Sequence, residues 1–439
     1  MATQPDVDVV VVGGGQAGIA MSEHLTSKNI SHVVLERERI AERWRTGRWD
    51  SLVANGPAWH DRFPNMKFDA HPDTFVPKDD VADYLETYAQ RFCGPIKTGV
   101  EVTRVRRTGG SKSFDIETTT GNFRANYVVA ATGPFQKPLI PNVVPTNSGI
   151  QQLHSHDYKN PQQLADGNVL VIGAGSSGSQ IAAELNKSGR SVYLAVGPHD
   201  RPPRRYRQRD NVWWLGVLGK WDMATPGPGT EHVTIAVSGA EGGKTVDFRN
   251  LANQGITLLG KAARFDKNTM YFENDLQQTI KLGDENYLSL LEEADEYIER
   301  HGLDLPEEPE AKVIGPDPES LKYPILELDL AQRGITSIIW ATGFTQDYSW
   351  LNVKEALDEQ GRPVHQRGVS SAPGVYFIGL PWLSRRGSSF IWGVWHDAKY
   401  LADQVDIQRS YAAYQPTPSQ HDRSEVFSNG AFQHAGVVK

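Results

Sequence analysis

Hydrophobic patterning divides this chain into strands that end at glycine. Val9-Val10-Val11-Val12 is a short β-branched run with no alternation, the signature of a strand buried on both faces. It runs into Gly13-Gly14-Gly15-Gln16-Ala17-Gly18, after which the apolar spacing becomes helical from Ile19 to about Lys28. His32–Leu35 is a second strand, closed by Glu36. The same order recurs further on: strand Asn168–Ile172, turn Gly173-Ala174-Gly175-Ser176-Ser177-Gly178, helix Gln180–Ser188 and strand Ser191–Val196.

Two other segments resemble each other, Tyr127–Gly133 and Ile338–Gly343, each an apolar strand entering Ala-Thr-Gly. Gly374–Gly379 reads as a further buried strand and Trp392–Gln404 as a helix. Pattern weakens between about Arg201 and Glu327, where no topology is assigned, and Gln408–Lys439 is polar and aperiodic. A repeated strand–glycine turn–helix unit predicts an α/β protein with two Rossmann-like dinucleotide-binding domains, the second inserted into the first. The expected boundaries are 1–145 and 329–405 for the first domain, 146–161 for a linker, 162–328 for the second domain and 406–439 for a tail.

In such turns the first glycine permits the bend, the second lets backbone approach a pyrophosphate, and the third lets helix pack on strand. Glu36 lies where a carboxylate accepts hydrogen bonds from a ribose diol, while the corresponding place in the second copy is Val196. Without an acid there, a 2′-phosphate is not repelled. Arg204 and Arg205, among five arginines from Arg201 to Arg209, are the candidates to clamp it, with His199 just before them. A solvated basic loop is the plain alternative.

Composition narrows the chemistry. The 439 residues suit two or three domains, and the net charge of −8 gives no footprint for nucleic acid. Apolar runs are too short to span a bilayer, and the N-terminus carries no signal-peptide pattern, so a cytoplasmic location is expected. Cys93 is the only cysteine, which excludes a disulfide relay, and no histidine spacing suits a metal.

With these motifs the chain resembles the class B flavin-dependent monooxygenases: flavin-containing monooxygenases, N-hydroxylases and Baeyer–Villiger enzymes. The resemblance also rests on His154-Ser155 and Tyr158, which match part of that family's linker signature, and on Arg48–Asn55. The leading Phe of the signature is missing, and Gly149 stands one residue further from His154 than is usual.

The resemblance implies FAD on the first fold and NADPH on the second. Gly197-Pro198-His199, where NADPH-strict relatives place an arginine, leaves NADH open as a second donor. It also implies transfer of one oxygen atom from O2 to a small organic substrate through a flavin C4a-(hydro)peroxide. N- or S-oxygenation is favoured over Baeyer–Villiger chemistry, and a homodimer is the family-level expectation. Asn55 becomes the candidate beside the reactive edge of the flavin. Gly13, Gly15, Gln16, Ala17, Gly18, Glu36, Arg37, Trp44, Thr132, Gly133 and Leu380 are expected around FAD. Gly173, Gly175, Ser176, Ser177, Gly178, His199, Arg204, Arg205, Ala341, Thr342 and Gly343 complete the nucleotide contacts.

Trp382, Trp392 and Trp395, with Trp213, Trp214 and Trp221, are candidates for a substrate pocket or for core. An NAD(P)H oxidase or flavin reductase without oxygen transfer, and a non-catalytic nucleotide sensor, are the competing readings.

Overall fold

The computed structural model describes residues 6–109, 113–225, 227 and 234–415. The first half of the chain builds β1 (Val7–Val12), α1 (Gln16–Ser27), β2 (His32–Leu35), α2 (Lys78–Phe92) and β3 (Ile96–Lys97). Three strands follow: β4 (Val102–Arg107), β5 (Phe114–Thr118) and β6 (Gly121–Ala130). Next come β7 (Gln151–His154), β8 (Asn168–Ile172), α3 (Ser176–Lys187), β9 (Val192–Ala195), α4 (Asn211–Val217), β10 (Thr257–Leu259), α5 (Leu276–His301) and β11 (Ile335–Trp340). The chain closes with β12 (His365–Gln366), β13 (Val369–Ser370), β14 (Val375–Phe377) and α6 (Ile391–Ala413).

Two sheets organise these elements. The larger runs β12-β13-β14-β6-β1-β2-β3, with β5 and β4 attached at β6. The smaller runs β10-β9-β8-β11-β7 and is parallel throughout. Both central strands are covered on both faces. Val9 and Val11 pack toward α1, α2 and α6, while Val10 and Val12 face the core of β4, β5 and β14. In β8, Val169 and Val171 share a core with α3, and Leu170 and Ile172 lie in another. A fully buried Val or Leu contributes about 1.5–3 kcal/mol, against about 0–1 kcal/mol for a surface ion pair. The two sheets, not the charged surface, therefore set the architecture.

Several sequence expectations shift. Strand β11, assigned above to the first domain, pairs with β8 and β7 and belongs to the smaller sheet. The stretch 146–161 is more than a linker, because β7 lies in it and forms an edge of that sheet. The last helix continues through 406–413 to Ala413, and residues 416–439 of the expected tail lie outside the described residues. The unassigned middle holds a 26-residue helix, α5, whose Leu276, Ile280, Leu290, Leu291, Ala294 and Ile298 are buried at helical spacing.

The glycines of the two turns are not equivalent. A Cβ on Gly18 or Gly178 would overlap the carbonyl oxygen of Gly13 or Gly173, whereas one on Gly15 would meet nothing within 4 Å. Gly18→Ala and Gly178→Ala are each expected to cost about 1–3 kcal/mol through overpacking. Gly15→Ala is expected to stay within about 0.5 kcal/mol of wild type. Urea unfolding checks all three, and equal losses at Gly15 and Gly18 would contradict this packing.

Candidate functional site

The end of β1 meets the end of β6 at Gly13. Its φ is +112°, and a Cβ there would lie 2.6 Å from the Ala131 carbonyl oxygen. Only glycine lets the two strand ends approach so closely. Gly15 then opens α1 without a side-chain cap, and a Cβ there would meet nothing within 4 Å. That is the arrangement that receives a pyrophosphate. At the end of β2 the Glu36 carboxylate accepts hydrogen bonds from Gly14 N (2.6 Å) and Glu38 N (2.8 Å). Each oxygen retains a lone pair for a ribose hydroxyl.

Gln16 ties the turn to distant chain: its Oε1 accepts from Trp44 Nε1 and its Nε2 donates to the Ser389 carbonyl, both at 3.1 Å. Ala17 faces Gly379, so the Gly379–Leu380 backbone lies against the start of α1 while the Leu380 side chain is buried in the core. Arg37 is exposed. Thr132 Oγ1 and Gly133 O both accept from Gln136 Nε2. The first turn therefore fits a dinucleotide.

The second turn repeats the construction, with Gly173 pressed against the Ala341 carbonyl. Its mouth differs. Ser176 N and Ser176 Oγ both donate to the Ile235 carbonyl, at 2.8 and 2.7 Å, and Val237 N donates back to Ser176 Oγ. Segment 234–237 thus lies across the start of α3, where Ser177 and Gly178 continue the turn. Thr342 Oγ1 donates to Leu139 O, and Gly343 O accepts from Leu139 N and His154 Nε2. These atoms hold the chain crossings between the sheets. His154 Nδ1 accepts from His156 N, so Nε2 carries the hydrogen, and burial pushes its pKa down. Burial, reinforced by Arg43, takes His156 to about 4.

Two expected phosphate contacts are turned away from any ligand. His199 is buried against Phe248 and Gly283, with Nδ1 at 2.9 Å from the Gly197 carbonyl. Arg204 is 3% exposed, paired through two nitrogens with Asp210 and donating to the Asn55 carbonyl at 2.5 Å. A buried guanidinium needs its own carboxylate, and Asp210 outcompetes a phosphate for it. Arg205 alone of the proposed pair is exposed.

Asn55 follows Ala54 of the first core and bonds to the second unit. Its Oδ1 accepts from Gln180 Nε2 of α3 at 3.0 Å, and Gln180 also donates to Val237 O at 2.9 Å. Of the tryptophans, Trp221 and Trp392 come together with ring centroids 5.8 Å apart. Trp395 is elsewhere, donating to Glu23, and Trp214 is buried with Tyr206 against α5. Sequence reasoning missed His60 and Asp61, which lie beside that pair of indoles; the adjacent Trp-His-Asp after Asn55 was the signal available.

Among the described residues no cluster of potential metal ligands forms and no helix is long and apolar enough to cross a membrane. The sole thiol, Cys93, donates to the Ile19 carbonyl, and burial raises its pKa to about 12.

The model of the pyridine nucleotide-disulphide oxidoreductase family matches residues 10–212. An oxidoreductase described as CzcO-like, from Geobacillus kaustophilus, is 36% identical over 91% of this chain and 98% of its own length. The solved flavin-containing monooxygenase of Stenotrophomonas maltophilia superposes with a TM-score of 0.63 at 23% identity, over 93% of this chain and 99% of that one. A bacillithiol disulfide reductase from Bacillus cereus shares the fold at a TM-score of 0.59 and 18% identity, over 92% of this chain and 99% of its own.

Arg204→Ala strands Asp210 in a buried site and is expected to cost about 3–5 kcal/mol. Arg205→Ala is expected to change stability by less than about 0.5 kcal/mol. Urea unfolding of both variants checks this, and a silent Arg204→Ala would contradict the buried pair.

Proposed function

The chain belongs to the CzcO-like oxidoreductases, built on the class B flavoprotein monooxygenase fold, and from that premise we propose that it is an FAD-dependent, NAD(P)H-consuming monooxygenase. It passes one atom of O2 to a small organic substrate, with N- or S-oxygenation ahead of Baeyer–Villiger chemistry. The observation that supports this reading is the pair of dinucleotide turns, with Asn55, next to Ala54 of the first core, bonded through its side chain to the helix of the second turn. A disulfide relay is unsupported, because Cys93 is single, half-buried and held as the thiol.

Bound FAD would supply the redox chemistry, hydride acceptance from a nicotinamide and activation of dioxygen. The residues of this chain supply the rest. Gly13–Gly18 and the start of α1 hold the FAD pyrophosphate, and Glu36 receives the ribose hydroxyls. Asn55 orients the groups where nicotinamide and flavin meet. Val196 leaves NADPH unrepelled, with Arg205 as the remaining guanidinium for its 2′-phosphate and NADH as a second donor. Trp221 and Trp392 help to keep water from the reacting centre.

Anaerobic titration with NADPH and with NADH is expected to bleach the flavin. Readmission of 18O2 with a panel of sulfides, amines and ketones is expected to place one labelled oxygen in a product and to lower the peroxide released per NADPH. Asn55→Ala is expected to raise that peroxide yield. Stoichiometric peroxide whatever the substrate would replace this reading with an oxidase, and a flavin that neither donor reduces would replace it with a sensor.

A further inference from the structure

The turn that begins at Asn55 carries a second group with chemistry of its own. His60 N and Asp61 N both donate to the Pro57 carbonyl, which sets the two residues on one bend. Their side chains meet, with His60 Nδ1 at 2.7 Å from Asp61 Oδ1. The carboxylate fits there because residue 56 is glycine, since a Cβ would overlap it. An ionised carboxylate only accepts, so Nδ1 carries the ring hydrogen and Nε2 of the neutral imidazole is left as a bare acceptor.

Nε2 makes no hydrogen bond to the described residues, although the His60 side chain is only 6% exposed. The ring lies at 25° to Trp221 and 26° to Trp392, with centroids 5.2 and 5.4 Å away, and Trp59 meets it edge-on. Asp222, next to Trp221, pairs with Arg385, whose guanidinium lies over the Trp392 ring, and His396 meets Trp392 edge-on.

We propose that His60 is the proton acceptor of this site, its Nε2 taking a proton from a bound substrate that enters with an N–H or S–H to lose. This rests on the monooxygenase reading above. The substrate N–H (or S–H) bond breaks, an Nε2–H bond forms, and the electron pair stays on the heteroatom, which becomes the nucleophile that receives oxygen. Asp61 and the faces of Trp221 and Trp392 hold the imidazolium until it returns the proton to solvent.

Two probes separate this role from a structural one. Methyl phenyl sulfide has no proton to lose, whereas N,N-dimethylbenzylamine arrives as its ammonium ion near neutral pH. With the FAD-loaded protein and NADPH, His60→Ala is expected to lower kcat/KM for the amine about 100-fold and to leave the sulfide within a few-fold of wild type. Added imidazole is expected to restore the amine rate in proportion to its free-base fraction. His60→Asn, which keeps a donor to Asp61, serves should the alanine variant fail to fold.

Independently of turnover, 15N-histidine spectra of the FAD-loaded protein are expected to show His60 protonated at Nδ1 and bare at Nε2, with Asp61→Asn upsetting that preference. Equal losses on both probes, no rescue by imidazole, or a hydrogen on Nε2 of the neutral ring would each overturn the proposal. A wild type that oxygenates neither probe counts against the monooxygenase reading, and the tautomer then decides the dyad alone.

Discussion

Two glycines pressed against two alanine carbonyls fix the architecture. Gly13 against Ala131 and Gly173 against Ala341 bring the ends of neighbouring parallel strands so close that no side chain fits between them. Each contact aims a helix at the space above the strand ends, the place where open α/β sheets bind ligands. Because Gly18 and Gly178 in turn pack their helices onto the same two glycines, strand, turn and helix form one unit in each sheet. The Ala-Thr-Gly segments are therefore the outer halves of the two nucleotide turns, although each lies far from its glycine fingerprint in sequence.

A narrow seam joins the two units. Trp49 and Leu52, which follow the first turn in the chain, are buried in the core of the second sheet with Val169, Val171 and Ile181. Ser51 and Tyr158 donate to the two oxygens of Glu184 on α3, and Asn55 is bonded to Gln180 one helical turn earlier. Apolar burial supplies the stability of this seam and the short polar bonds its register. The bend from Asn55 to Asp61 is in this way held by both units at once, a precise support for groups that must face a ligand shared between them.

Much of this was legible in the sequence because it depends on local necessity. Unalternating valines mark a strand covered twice, and glycines at fixed intervals mark a turn with no room for Cβ, so both folds and both Ala-Thr-Gly segments could be read directly. What was not legible depends on distant partners. Whether Arg204 meets a phosphate or a carboxylate turns on Asp210, six residues away but across a hairpin. The allegiance of β11 turns on β8, whose strand ends long before it begins. The α5 helix was overlooked because Gly283 and a run of acids interrupt an otherwise regular apolar face.

The two turns differ at their mouths. At the first, a Cβ on Gly15 would meet nothing within 4 Å. At the second, a Cβ on Gly175 would lie 3.2 Å from Thr234, and the Ser176 amide is bonded to the Ile235 carbonyl. Segment 234–237 is short, and Val237 shares Gln180 with Asn55. Two acceptors, Val237 O and Asn55 Oδ1, therefore position the Gln180 amide. Segment 234–237 and the Asn55 bend are joined through that one amide by two hydrogen bonds. The turn that lacks the acidic ribose partner is thus also the one tied by hydrogen bonds to the Asn55 bend.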